Sequence, residues 1–152
     1  MSDAKDRLRL WLRLLKVVRG IEGEVRDRLR REFDTTLPRF DLLAALSRHP
    51  EGLKMSALSG VLRVSNGNVT GLADRLAEEG LVRRVPVPGD RRAMILRITP
   101  AGARAFAAQA AAHERWIDGL LRAIPPQEAR AMAARLTAFA DRADEREAAH
   151  AQ

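Results

Sequence analysis

Apolar residues recur at helical spacing along most of the chain, with charged residues between them. The pattern predicts one long helix over residues 4–33, whose apolar positions fall on one side: Leu8, Trp11, Leu12, Leu15, Val18, Ile21, Val25 and Leu29. A small domain cannot cover a helix of this length with its own core. The surplus apolar surface is therefore a candidate dimer interface. Two more long helices are predicted over 100–123 and 127–148, separated by Pro125-Pro126.

Shorter elements occupy the middle of the chain. Pro38 suits the first turn of a helix over 38–48. A short helix follows over 57–62, with Ser56 as its predicted N-cap, and Arg63-Val64 then makes a turn. A second helix comes directly after this turn, so the segment has the order of a helix-turn-helix.

The second helix of this module begins after Ser65, its predicted N-cap, and runs to about Glu79, because Gly80 is a natural residue to end it. Two short apolar segments follow, Leu81–Val85 and Met94–Ile98, and they predict a hairpin with a long basic tip. The whole order predicts a mainly α fold with a small β-hairpin wing. The predicted architecture is a winged helix-turn-helix flanked by long dimerisation helices.

The second helix of the module has two unlike faces. Since a helix advances by about 100° per residue, one face is an apolar stripe and the opposite face carries glycines. An exposed helical glycine costs about 1 kcal/mol relative to alanine, and close approach of the backbone to a DNA major groove explains that cost. Asn, Thr and Arg side chains can read base edges there. The stripe is Val69, Leu72, Ala73 and Leu76, and the predicted DNA-binding residues are Ser65, Asn66, Gly67, Asn68, Thr70, Gly71 and Arg75.

Three of these positions also have a plainer interpretation. Asn68 and Thr70 can be ordinary solvated residues, and Ser65 can be a helix cap and nothing more, although its hydroxyl and the nearby amides can also hold a phosphate. Asp74 lies on the same exposed face, and its carboxylate repels the DNA backbone. We therefore expect Asp74 to pair with a nearby arginine or to lie outside the groove.

The predicted hairpin tip, Pro88-Gly89-Asp90-Arg91-Arg92, is compact and positive. An arginine at such a tip can enter the narrow minor groove, where negative potential is focused. Asp90 can brace one of the arginines through a charge-assisted hydrogen bond. The alternative is an ordinary solvated turn, which is credible for Gly89 and less so for the paired arginines.

Composition narrows the class of protein. The chain has 152 residues, a net charge of +7 and no cysteine, which excludes disulfides and thiolate metal sites. Residues 1–39 and 54–99 each carry a net charge of +4, which favours polyanionic partners, although an arginine-rich composition has other causes. Arginine and lysine interrupt the apolar N-terminal segment, so neither a membrane span nor a secretory signal is expected. We expect a soluble cytoplasmic protein.

Two segments resemble the MarR family of bacterial regulators: VSNGNVTGLADRLAEEGLVRR at 64–84 and GDRRAMILRITPAG at 89–102. The family pattern is a serine-capped recognition helix, a Gly-Leu-Val strand entry, a D-x-R wing and a Leu-Thr-x-x-Gly helix start. Ile98 replaces the leucine of that start in this chain. Carried over, the resemblance makes Arg92 the minor-groove arginine, Asp90 its brace and Arg91 a second phosphate contact. The similarity covers nearly the whole chain.

The resemblance implies a single MarR-like domain over 1–152, with dimerisation helices in 1–36 and 100–152 and a winged-helix core in 37–99. It implies a homodimer that binds a pseudo-palindromic operator in double-stranded DNA, represses, and is released by a small effector. The effector pocket then lies between the first, second and fifth helices, with six candidate residues that include possible anion partners: Trp11, Arg13, Arg19, Phe40, His113 and Trp116. The aromatic residues among them are also typical of a core, and a lone histidine is commonly just solvated.

Three short segments, TTLPRFD at 35–41, VSNGNVTG at 64–71 and AAHERW at 111–116, are similar to the branch of the family that controls aromatic-acid catabolism. That similarity implies an aromatic carboxylate or its CoA thioester as the effector. An anionic thioester would fit the arginine-rich first helix, but a basic DNA-binding protein would have the same composition.

The rival classes are less well supported. No Ser/His/Asp set, metal-ligand spacing or phosphate-binding glycine loop occurs in the sequence, so neither an enzyme nor a cofactor or metal site is expected. The other alternative is a winged-helix protein-interaction module without sequence-specific DNA binding. The glycine-bearing helix face and the arginine wing argue against it.

Overall fold

The structure, a computed structural model, describes residues 2–62 and 66–151. Helices dominate it, and a small sheet lies in the middle of the chain. The elements are α1 (Asp3–Phe33), α2 (Leu37–Ser47), β1 (Leu53–Lys54), α3 (Met55–Leu62), α4 (Asn66–Glu78), β2 (Val82–Val87), β3 (Asp90–Ile98), α5 (Pro100–Leu120) and α6 (Pro126–His150). The chain divides into two compact units, Met1–Trp116 and Ile117–Gln152. The predicted fold class, mainly α with a winged helix-turn-helix, is confirmed.

The first long helix ends where the sequence changes character. Asp34 takes a left-handed backbone conformation (φ 48°), and its amide and that of Thr35 donate to carbonyls of the last turn. Thr36 then caps α2, because its hydroxyl oxygen accepts from the Arg39 amide at 3.4 Å. The predicted break between the first two helices is therefore confirmed.

The core of the first unit is formed where α2, α3 and α4 pack against the sheet. Its buried residues come from α2, α3, α4 and the sheet, so the core joins α2 to the helix-turn-helix. They are Leu42, Leu43, Ala45, Leu46, Leu58, Val69, Ala73, Leu76, Val82 and Leu96. On α1, only Val25 and Leu29 are buried. The N-terminal two thirds of α1 therefore lies outside this core.

The sheet has one strand more than the predicted hairpin. β1 pairs antiparallel with β3, placing Leu53 opposite Leu96, and the strand order is β1-β3-β2. The chain passes directly from β1 into α3, which begins at Met55. The prediction of Ser56 as the N-cap of that helix is therefore wrong, since Ser56 lies inside its first turn. A two-residue strand has too little alternation to be recognised from sequence.

The second unit contains α6, which follows the Pro125-Pro126 break. None of the residues described in this helix is buried. The helix continues to His150, past the predicted end at 148. Among the described residues, no helix is both long and apolar enough to cross a membrane.

Candidate functional site

Helix α4, the predicted recognition helix, is held by its apolar stripe, as the sequence predicts. Val69, Ala73 and Leu76 are all buried in the core, and Leu72 packs against them. Since these residues fix the rotation of the helix about its axis, they also fix which side chains point outward. Among the described side chains of α4, the exposed residues are Asn68, Thr70, Gly71, Asp74, Arg75 and Glu78.

Gly71 lies in open space on this exposed face. A Cβ placed on it would meet no heavy atom within 4 Å. The glycine therefore has no packing role in the isolated chain. Of the other predicted DNA-binding positions, Ser65 lies outside the described residues, and the structure describes neither the side chain of Asn66 nor the exposure of Gly67. The predicted turn at Arg63-Val64 lies outside them as well.

The recognition helix ends as predicted. Gly80 has a positive φ of 75°, and its amide donates to the Ala77 carbonyl at 3.0 Å. The Leu81 amide donates to the Leu76 carbonyl at 2.9 Å. This pair of hydrogen bonds is the Schellman arrangement, in which glycine occupies the left-handed position. It directs the chain from the helix into β2.

Two ion pairs tie the C-terminal half of α4 to its neighbours. Asp74 pairs with Arg84 of β2, which confirms the expected arginine partner for this carboxylate. Glu79, just after the helix, pairs with Arg39 of α2 at 3.0 Å between Nη1 and Oε1. Neither Arg84 nor Arg39 could be identified from the sequence, because no short-range spacing links either residue to its partner. Both pairs restrain the helix near the surface it presents.

The hairpin differs from its prediction. The strands extend to Val87 and Asp90, which pair across the two-residue turn Pro88-Gly89, so the tip is shorter than expected. The register shifts between Pro86 and Val87, since Pro86 pairs with Met94. Pro86 has no amide hydrogen to donate to the ladder, and proline is tolerated at such irregularities. Arg91, Arg92 and Ala93 are the three residues of β3 that this shift leaves without a partner on β2.

This irregular stretch of β3 presents the wing arginines. Arg91 and Arg92 are both exposed. The Asp90 carboxylate accepts a hydrogen bond from the backbone amide of Arg92 at 3.0 Å. Asp90 thus braces the wing through the backbone, and the predicted bond from Asp90 to a guanidinium is wrong. None of the ion pairs between described residues involves Asp90.

The start of α5 is fastened to the end of the recognition helix. Thr99 Oγ1 donates to the Gly80 carbonyl at 2.7 Å and accepts from the Gly102 amide at 3.0 Å. The Thr99 amide donates to the Leu81 carbonyl at 3.0 Å. A Cβ on Gly102 would lie 1.9 Å from that same carbonyl oxygen. Gly102 therefore allows a close backbone approach here, a role that the sequence analysis did not assign to it.

The six candidate effector residues separate into two groups. The rings of Phe40 and His113 lie 5.0 Å apart between centroids, and Trp116 lies 6.2 Å from Phe33. Phe40 and Trp116 are buried, which agrees with the alternative that they are core residues. By contrast, the other three candidates are exposed on α1: Trp11, Arg13 and Arg19. None of the ring contacts or ion pairs of the described residues links the two groups.

Polar groups that the sequence analysis did not consider lie near Phe40 and His113. Gln109 is buried one helical turn before His113, and its Oε1 is without a hydrogen-bond partner among the described residues. Partial desolvation and the Glu22 carboxylate raise the pKa of the Asp41 carboxyl above 3.8, although His113 opposes this. These groups have no periodic signal that would reveal them in the sequence.

Comparison with known proteins agrees with this architecture. The MarR family model matches residues 33–93. The solved structure of a MarR family transcriptional regulator from Silicibacter pomeroyi is 34% identical, covers 93% of this chain and is itself covered to 98%, with a TM-score of 0.76. This chain belongs to the MarR family.

Two other relatives extend the comparison. The transcriptional regulator PecS of Dickeya dadantii is 32% identical over 78 residues, which are 50% of this chain and 47% of PecS. The chain thus spans about half the length of the curated relatives it matches. A MarR family regulator from Streptomyces coelicolor, solved in complex with DNA, has a TM-score of 0.78 at 19% identity and covers 93% of this chain, which covers 89% of it. At that identity the likeness shows the fold alone. MarR family relatives are transcriptional regulators and not enzymes.

Proposed function

We propose that this chain is a DNA-binding transcription regulator that places α4 in the major groove and its β2–β3 hairpin in the adjacent minor groove. The observation that carries the proposal is the exposed face of α4. Its polar residues surround Gly71, where no neighbouring atom would contact a side chain. In water such a glycine only weakens the helix, by about 1 kcal/mol relative to alanine. In a major groove it lets the backbone approach the bases.

The wing supports the same proposal. Arg91 and Arg92 are exposed beside a fixed backbone bend, and arginine is favoured in narrow minor grooves. In this proposal Asn68, Thr70 and Arg75 contact base edges or phosphates from α4. Asp74 is compatible with a DNA interface because its charge is paired with Arg84. The Streptomyces coelicolor regulator, which has the same fold, was solved in complex with DNA, and this supports DNA as the ligand.

The functional unit in this proposal is a homodimer. Large apolar side chains are exposed on α1, where Leu8, Trp11 and Leu12 are each more than half exposed. The same holds for Met132 and Phe139 on α6 in the second unit. Apolar faces of this kind are usual at protein interfaces. A two-fold dimer would present two recognition helices about one DNA turn apart, which suits a pseudo-palindromic operator.

We further propose that the dimer represses transcription until a small effector binds beside α2 and α5. Aromatic side chains of Phe40 and His113 line this region, and the Gln109 Oε1 next to it would accept a hydrogen bond from a ligand hydroxyl or amide. An aromatic carboxylate or its CoA thioester is the proposed effector, with Trp11, Arg13 and Arg19 of α1 as further contacts. Its support is the sequence similarity of the segments at 35–41 and 111–116.

The test is a gel shift with the DNA that flanks the gene of this protein, titrated at several salt concentrations. We expect specific binding by the parent chain and its loss in Gly71→Leu and Arg92→Ala. The matched control is Gly119→Leu, because Gly119 is also a helical glycine with open space around it. Wild-type affinity of both variants would refute the proposal. A chain that binds all DNA equally would instead support the winged-helix protein-interaction alternative.

A further inference from the structure

The outer face of the small sheet carries an unusual arrangement of cations. Cross-strand partners in an antiparallel sheet point to the same face. Arg83 of β2 lies directly opposite Arg97 of β3, so two guanidinium groups share one face. Lys54 of β1 lies opposite Ile95, two residues before Arg97 on the same strand, and therefore joins them. We call Lys54, Arg83 and Arg97 the outer cationic cluster.

This cluster lies on the side of the sheet that faces away from the recognition helix. The other side of the sheet holds Val82 and Leu96, both buried in the core with α4. Since side chains alternate between faces along a strand, Arg83 and Arg97 project from the opposite side. Arg84, by contrast, is on the α4 side and pairs with Asp74. The outer cluster is thus separate from the site formed by α4.

The charges of the cluster are poorly compensated within the chain. Like charges directly opposite each other destabilise a sheet. Among the described residues, Lys54, Arg83 and Arg97 form none of the ion pairs, whereas Arg39 and Arg84 each have a carboxylate partner. Glu51 is an acidic residue that interacts electrostatically with Arg97. Its pKa is lowered mainly by a backbone hydrogen bond and by His49, and less by Arg97. One carboxylate cannot balance three cations.

The side chain of Arg97 is also held in position. A Cβ placed on Gly52 would lie 2.8 Å from the Arg97 Cγ, so the aliphatic stem passes close over this glycine. Arg97 is half-buried, and Arg83 and Lys54 are exposed. A pair of arginines fixed by register and facing solvent is suited to phosphates, which accept from guanidinium groups in two-pronged geometry.

Duplex DNA is the polyanion that this location favours. Arg83 and Arg97 lie on the same β2–β3 hairpin as Arg91 and Arg92, toward its base rather than its tip, and Lys54 lies on the neighbouring strand β1. Because it faces away from α4, the phosphates within its reach lie beyond the wing and not in the groove read by the helix. Duplex DNA carries about one charge per 1.7 Å of its axis, so it can neutralise all three cations at once.

We propose that Lys54, Arg83 and Arg97 form a second phosphate-binding surface, which contacts duplex DNA flanking the half-site that α4 reads. The inference rests on the proposed DNA-binding function and extends it. It adds affinity without sequence information, because phosphate contacts position a protein but do not read bases. The bound segment of DNA is accordingly longer than the recognition helix and wing tip alone would require.

The experiment measures binding to a 40-bp duplex of random sequence, as the slope of log affinity against log salt concentration. Each phosphate contact contributes about 0.9 to that slope. We expect the double variant Arg83→Gln/Arg97→Gln to reduce it by about 1.8 per protomer. Arg83→Lys/Arg97→Lys keeps both charges and should retain most of the slope. The matched control, Arg48→Gln/Arg115→Gln, removes the same charge from exposed positions outside the apolar faces proposed for the dimer.

The outcomes separate this inference from the proposed function. If the parent chain binds neither this duplex nor the DNA beside its gene, the proposed function fails. If the parent binds and the Arg83/Arg97 glutamine variant keeps its slope, only the outer surface is refuted, and an acidic protein becomes its candidate partner. An equal reduction in the Arg48/Arg115 control would refute it too, since net charge would then explain the effect. A hydroxyl-radical footprint on the DNA beside the gene would locate the contact. Protection that shortens at its outer ends in the Arg83/Arg97 glutamine variant would support the placement on flanking DNA.

Discussion

Substitution of Gly102 by alanine tests how tightly α5 is joined to the recognition helix. The new Cβ would lie 1.9 Å from the Leu81 carbonyl oxygen, and 2.9 Å from both the Leu81 carbonyl carbon and Ile98 Cγ1. To reach an ordinary contact distance, the Leu81 backbone must move by about 1.5 Å. This is a movement of backbone and not of a flexible side chain, so it cannot be absorbed by a change of rotamer.

The expected loss of stability follows from what the movement breaks. Leu81 accepts from the Thr99 amide and donates to the Leu76 carbonyl, and each hydrogen bond contributes about 1 kcal/mol. Overpacking adds about 1–3 kcal/mol, and the better helix propensity of alanine offsets about 1 kcal/mol. We expect Gly102→Ala to lower the free energy of unfolding by about 2–4 kcal/mol. For a chain of this size, Tm would fall by roughly 5–15 °C.

Urea denaturation followed by far-UV circular dichroism measures the change, at one fixed protomer concentration because a dimer would make stability concentration-dependent. The control is Gly119→Ala on the same helix, where a Cβ meets nothing within 4 Å. That variant should be slightly more stable than the parent, by up to about 1 kcal/mol. If Gly102→Ala unfolds at the same urea concentration as Gly119→Ala, the close approach of Leu81 to Gly102 does not limit stability and the reasoning is wrong.

Three further predictions concern single carboxylates. Asp74→Asn frees Arg84 and removes a negative charge from the exposed face of α4. We expect affinity for duplex DNA of random sequence to rise several-fold in a gel shift, while the free energy of unfolding changes by less than about 1 kcal/mol. Unchanged affinity would contradict this prediction. Asp90→Asn keeps an oxygen that can accept from the Arg92 amide, so this variant should bind DNA nearly as well as the parent chain. Asp90→Ala lacks this acceptor and should bind at least about 5-fold more weakly. An equal loss in both variants would instead indicate that the charge of Asp90 is what matters. Because the pKa of Asp41 is raised in the folded state, the folded state binds a proton at this carboxyl more tightly than the unfolded state does. The contribution of Asp41 to stability therefore decreases as pH rises from 3.8 through the raised value. Asp41→Asn should remove this part of the pH dependence of stability, measured by urea denaturation at several pH values.

The features that the sequence predicted are those with a local cause. The apolar stripe of α4 has helical periodicity, Thr99 precedes a proline at a helix start, and Gly80 is a glycine at a helix end. Each produces a signal within a few residues, and each prediction agrees with the structure. The partner of Asp74 was expected only as some nearby arginine. That expectation followed from electrostatics and did not need the identity of Arg84.

The features that were missed depend on strand register and on distant contacts. The pairing of Leu53 with Leu96 joins segments more than forty residues apart, so β1 had no local signal. The register shift beside Pro86 determines which β3 residues protrude, and hairpin patterning alone does not give it. The opposition of Arg83 and Arg97 likewise exists only once the register is known.

The contacts around the C-terminal half of α4 couple the position of this helix to the positions of α2, β2 and α5. Glu79 is tied to α2 through Arg39, Asp74 to β2 through Arg84, and the Gly80 carbonyl to α5 through Thr99. Three elements therefore hold the same end of one helix. With Val69 and Ala73 buried as well, α4 cannot rotate or slide alone without breaking several of these contacts. In the proposed regulator, a ligand that displaces α2 or α5 would move α4 as a rigid body. In the proposed homodimer, such a movement would change the position of α4 relative to the second copy while preserving the surface that it presents to DNA.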